Sequence, residues 1–165
     1  MKFNRHLIAL VAASFVATAS MAMQPAEYAA AKDRVSADYK MHKEKCDAMS
    51  GNAKDVCMKE AKGVEKVSKA ELEAQYKPSE KASYNVRKER ADAAYDVSKE
   101  KCDDLSGNAK DVCVKDAKAD HVKAVESAKI AEAKAMPGDT AADKSADVAE
   151  ARKEGAADMR EATYN

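Results

Sequence analysis

From Tyr28 onward the inward-facing positions recur at helical spacing. Tyr28, Ala31, Val35, Tyr39, His42, Cys46 and Met49 follow one another three or four residues apart, with mostly Lys, Asp, Glu and Ala between them. A helix over this stretch has one weakly apolar face and one charged face. Ser50-Gly51-Asn52 interrupts the pattern. Gly51 suits the left-handed position just past a helix end, Asn52 suits the cap of the next helix, and Asp55 suits its first turn, where the helix dipole favours a carboxylate. A second series runs through Ala53, Val56, Cys57, Ala61, Val64, Val67, Leu72 and Tyr76 until Pro78 stops it.

The plan then repeats. Tyr84, Ala91, Tyr95, Cys102 and Leu105 lead to a turn at Ser106-Gly107-Asn108 with Asp111 behind it, and a further helix runs through Val112, Cys113, Ala117, Val125 and Ala128 toward Pro137. The string Lys-Glu-Lys-Cys-Asp, two residues, then Ser-Gly-Asn-Ala-Lys-Asp-Val-Cys occurs at 43–57 and again at 99–113, so the chain is a tandem duplication. The pattern predicts an all-α protein of two tandem disulfide-stapled helical hairpins, four long helices in all, either closed into a bundle or extended. The units span 23–78 and 79–135. Pro-Gly-Asp-Thr then opens a linker, and residues 136–165 read as a mobile tail with one short exposed helix.

Geometry chooses among the three possible cysteine pairings. In one unbroken helix Cys46 and Cys57 would lie about 16 Å apart, whereas a disulfide needs Cα atoms within about 4.4–6.8 Å. A fold-back at Gly51 brings them together, which predicts Cys46–Cys57 and Cys102–Cys113. Each bridge closes its hairpin near the turn.

Residues 1–22 carry Lys2 and Arg5, an apolar run from Leu7 to Val16 and a small-residue end at Ser20-Met21-Ala22, the three parts of a secretory signal cleaved after Ala22. The remaining chain is expected in the periplasm, with no transmembrane anchor. Both Phe residues leave with the signal and there is no Trp, so the core is thin and the disulfides matter more. Loss of Lys2 and Arg5 leaves fewer basic than acidic residues, with the signs interspersed, which argues against a nucleic-acid partner.

Candidate chemistry is sparse. His42 and Cys46 share a helical face, but the second unit has Ser98 in place of His42, and cysteines separated by ten residues are unlike a zinc site. Lys45, Lys54, Lys101 and Lys110 beside the cysteines leave a redox-active pair as an alternative to a structural one. The tyrosine stripe suits packing between helices better than a ligand groove. His121 stands where the first unit has Glu65 and receives no role. No grouping of acid, base and nucleophile recurs, so neither an enzyme nor a cofactor is expected, and no metal site.

The Lys-Cys-Asp and Ser-Gly-Asn-Ala-Lys-Asp-Val-Cys strings together resemble a group of small exported proteobacterial proteins often described as TolA-like or as cell-envelope biogenesis proteins. The resemblance covers Tyr28 to about Ala135 and implies an envelope location. It supplies no functional residue. The expected role is a non-catalytic structural or adaptor module of the envelope, self-associating or docking a helical envelope protein. The alternatives are a stress-related chaperone or ligand-binding protein using the Ala/Tyr/Val faces, and a thiol-disulfide protein.

Overall fold

A computed structural model describes residues 23–164, so the signal expected over 1–22 lies outside the described residues. Five helices and no strand are found among these residues: α1 (Pro25–Asp47), α2 (Gly51–Tyr76), α3 (Glu80–Lys101), α4 (Gly107–Ala135) and α5 (Ala141–Tyr164). A single 3-10 turn at Cys102–Asp104 joins α3 to the loop before α4.

The helices begin in two ways. Odd-numbered helices are capped by side chains: Gln24 and Glu27 bond reciprocally at α1, the Ser79 hydroxyl accepts from the Ala82 amide at 3.0 Å, and Thr140 and Asp143 exchange bonds at α5. Ser50 and Ser106, which precede α2 and α4, make no side-chain capping bond. Gly51 and Gly107 turn the chain there with φ of +60° and +56°, a region that favours glycine, and a disulfide holds each start.

This corrects the expected caps. Because each helix begins at its glycine, Asn52 and Asn108 lie inside the helices, and Asp55 and Asp111 fall beyond the first turn and are exposed. Asn52 instead donates its side-chain amide to the Glu100 carbonyl at the far end of α3, at 3.1 Å.

Each helix runs antiparallel to its predecessor, and every extensive interface among the described residues joins helices consecutive in the chain. The helices therefore form an open row, and α1 does not close onto α4. Across the Pro78 joint the approach is especially close, since a Cβ on Gly63 would stand 2.8 Å from the Cβ of Ala93. The C-terminal segment is also part of the row, contrary to the expected mobile tail. Helix α5 buries Ala151 and Ala162, sets Gly155 against Glu126, and pairs Glu154 and Glu161 with Lys129 and Lys118 of α4. Small residues dock by close backbone approach, which leaves little trace in apolar periodicity.

The core is mostly alanine, and the largest fully buried side chains are Cys46 and Cys102. Among the described residues Leu72 is the one large aliphatic side chain in the core, whereas Met49, Val64, Leu105 and Val112, all expected on inward faces, are largely exposed. A row gives each helix only two narrow contact stripes, and residues between them stay in water.

Candidate functional site

The turn before α2 and the turn before α4 stand at the same end of the row, because successive helices alternate in direction. Cys46 bonds to Cys57 and Cys102 to Cys113, with Cα separations of 5.5 and 5.7 Å, and no free cysteine remains among the described residues. Each bridge ties the end of one helix to the second turn of the next. Of the lysines that could have polarised a thiol, Lys54, Lys101 and Lys110 have carboxylate partners instead, and Lys45 has none among the described residues. Lys54 lies 3.0 Å from Asp47 and Lys110 lies 2.9 Å from Asp103, equivalent pairs in the two units. The Lys54 bond holds the Asp47 carboxyl below its ordinary range, and the Asp103 bond raises Lys110 above its own. Exposed Met49, Leu105 and Val112 flank the two turns.

Halfway along each disulfide-linked pair a polar group sits on the inner stripe, at equivalent positions of the repeat. In α2 it is Glu65, only 7% exposed, whose carboxylate accepts from Lys62 at 2.7 Å and Lys69 at 2.6 Å, both on its own helix. These bonds, Lys62 first, keep the carboxyl below its ordinary range despite burial. In α4 it is His121, whose Nε2 lies 2.6 Å from an Asp92 oxygen on α3 while Lys88 donates to the other oxygen at 2.6 Å. Burial pushes the Asp92 carboxyl up, and the bonds from Lys88 and His121 more than offset this and lower it. The His121 ring also tilts over Tyr95, with ring centres 5.1 Å apart. Sequence reasoning gave His121 no role. The available signal was its register with Glu65: two dissimilar polar residues at one inward position.

Tyrosines fill the α1–α2 interface. Tyr28 stacks on Tyr76 with centres 4.3 Å apart and donates its hydroxyl to Glu73, and the Lys62 ammonium lies over the Tyr39 ring. His42 is half-buried beside Cys46, whose sulfur is committed to the disulfide. No group of three or more His, Cys, Asp and Glu side chains suited to a metal ion is present among the described residues.

An open groove of about 500 Å³ runs along one side of the α2–α3 seam, lined by Gly63, Val64, Val67, Ala93, Ala94 and Val97. Its walls are mainly apolar, and Val64 is 52% exposed.

Among the described residues no helix is long and apolar enough to cross a membrane. No protein-family model, no curated protein and no solved structure matches the chain.

Proposed function

We propose that the chain is a non-catalytic periplasmic scaffold or adaptor of the cell envelope, built from two tandem disulfide-closed helix pairs with a fifth helix completing the row. The observation that carries this reading is the open row of disulfide-linked helices. Such a row offers long faces of mixed charge for docking other helices, and disulfides persist in oxidising compartments. The cysteines act as staples, since equivalent bridges recur in both units and Lys54, Lys101 and Lys110 nearby are engaged by carboxylates.

The exposed groove between α2 and α3 favours a second reading, a holdase that shelters apolar segments of unfolded clients. Light scattering from a reduced, aggregating client separates the two. A scaffold leaves the aggregation curve unchanged at equimolar ratio. Suppression that disappears with Val64→Asp would overturn the scaffold reading in favour of the holdase. Recovery of both disulfides intact from a periplasmic extract alkylated before digestion is expected, and free thiols there would remove the support from the staples.

A further inference from the structure

The repeat allows the interface between the two units to be projected onto α1 and α4. Helix α3 is the duplicate of α1, and α4 the duplicate of α2. The α2–α3 seam is held by four ion pairs, by the Asn52 bond to the Glu100 carbonyl, and by the contact of Gly63 with Ala93. One unit earlier, the α3 side of that seam becomes the outer face of α1. One unit later, the α2 side becomes a stripe on α4. Both are present in every copy, the first at the α1 end of the row and the second on α4 beside the α5 contact, and both are open: Ala37, Met41, Glu44 and Lys45 are exposed on α1, as are Asn108, Lys115 and Asp116 on α4.

We infer that the outer face of α1 docks on the Asn108–Lys123 stripe of α4 in a second copy of this chain, repeating the α2–α3 seam between molecules. This rests on the scaffold reading and names its partner. Charge carries the argument. Within the chain Lys101 pairs with Glu60 at 3.2 Å and Lys59 with Glu100 at 3.6 Å. Their repeat equivalents are Lys45 with Asp116 and Lys115 with Glu44. All four lack an ion-pair partner among the described residues. A second copy placed in the register of the seam brings them together with the correct signs. Asn108 then faces the Glu44 carbonyl as Asn52 faces that of Glu100, and Ala119 falls opposite Ala37, where its methyl keeps the helices further apart than Gly63 and Ala93 are.

Helix α5 does not occupy this stripe. It docks beside it, through Lys118, Glu126 and Lys129, and leaves Lys115, Asp116, Asp120 and Lys123 exposed.

The projected seam differs from its template in ways that set its strength. Ala119 adds a methyl at the tightest crossing, and Val64 and Val67 become Asp120 and Lys123. Arg34 meets Ser127 where Arg90 meets Glu71. Contact is thus more polar and looser, so the association is reversible and weakens with salt. Being heterologous, it leaves the same two faces free at the ends and extends into a row with every disulfide turn along one edge.

The test is zero-length carbodiimide crosslinking of equal amounts of normal and heavy-nitrogen full-length protein at high concentration, read by mass spectrometry, with sedimentation equilibrium alongside. Links joining Glu44 to Lys115 and Lys45 to Asp116, each between a light and a heavy chain, are expected. Lys45→Glu should weaken self-association about tenfold, and adding Asp116→Lys should restore it. Both positions are exposed, so a circular dichroism spectrum like that of the parent establishes that the fold is intact. A monomer at every concentration, mixed-isotope links that join α1 to α1, or no rescue by the second substitution would overturn the inference. None of these would touch the scaffold reading, which fails separately on the client-aggregation assay.

Discussion

The two disulfide-linked helix pairs descend from one pattern yet handle the same inner position differently. In α1–α2 the buried Glu65 is satisfied by Lys62 and Lys69 from its own helix, so it is content wherever α1 lies. Register there comes from packing, through the Tyr28–Tyr76 stack at one end and buried Leu72 nearby. In α3–α4 the repeat places Ala128 where Leu72 stands, and the polar position reaches across: His121 bonds Asp92, and only one register of the two helices allows it. Duplication kept the staple and the turn, while the means of aligning the helices moved from apolar contact to a polar bond. A helix pair closed by a disulfide at one end tolerates such a change, because the staple already limits how far the helices can slide.

Cutting the staples gives the largest effect and tests how much each interface holds unaided. The two loops are equal in length, with a sequence separation of 11 in both. On loop entropy alone, Cys46→Ser with Cys57→Ser and Cys102→Ser with Cys113→Ser should each cost about 3 kcal/mol in urea unfolding. Any gap between the two double variants then reports the interfaces. The first is expected to keep cooperative unfolding more fully, since stacked tyrosines align its far end. A second pair that proves the more robust would break the comparison.

Smaller, and aimed at the polar position itself, is a double-mutant cycle. His121→Ala leaves Asp92 half-buried with one donor fewer and should cost about 1–3 kcal/mol, and the cycle with Asp92→Ala should show coupling of comparable size. Glu65→Gln keeps the shape and loses only bonds within one helix, so about 1 kcal/mol or less is expected. Equal costs at 65 and 121 would mean that the cross-helix bond does not set register.

Helices, turns and the cysteine pairing follow from short-range signals: three-and-four spacing, Gly51 and Gly107, and a distance limit that a straight helix violates. Docking of α5 was not legible, because a stripe of Ala and Gly looks the same whether it faces water or another backbone. Nor were the caps, since Asn52 has the chemistry of a cap and only the left-handed Gly51 before it decides that the helix has already begun. His121 was hidden because its partner lies on α3, 29 residues earlier, and nothing local ties the two together. Repeats invite reasoning by identity between units, yet the most specific contact in the second unit arose where the units differ.

The smallest effect is on pH dependence, and its sign is fixed by which way the carboxyls move. Asp92 and Glu65 both lie below their ordinary values in the fold, Asp92 because the bonds from Lys88 and His121 outweigh burial, and Glu65 because of Lys62 and Lys69. The unfolded chain therefore takes up protons first on acidification. The stability from these groups is complete above the ordinary carboxylate range, about pH 4, and is lost as pH falls through the lower folded values. His121→Ala removes one of the two donors that lower Asp92, so that carboxyl moves back toward its ordinary value and contributes less to the acid slope. Glu65 keeps its lysines and its share. The thermal midpoint of the variant, followed from pH 6 to pH 3, should start lower than that of the parent and fall less steeply, so that the two curves converge in acid. Parallel curves would mean that His121 contributes nothing to holding Asp92 ionised, and the contrast between the two helix pairs would then reduce to shape alone.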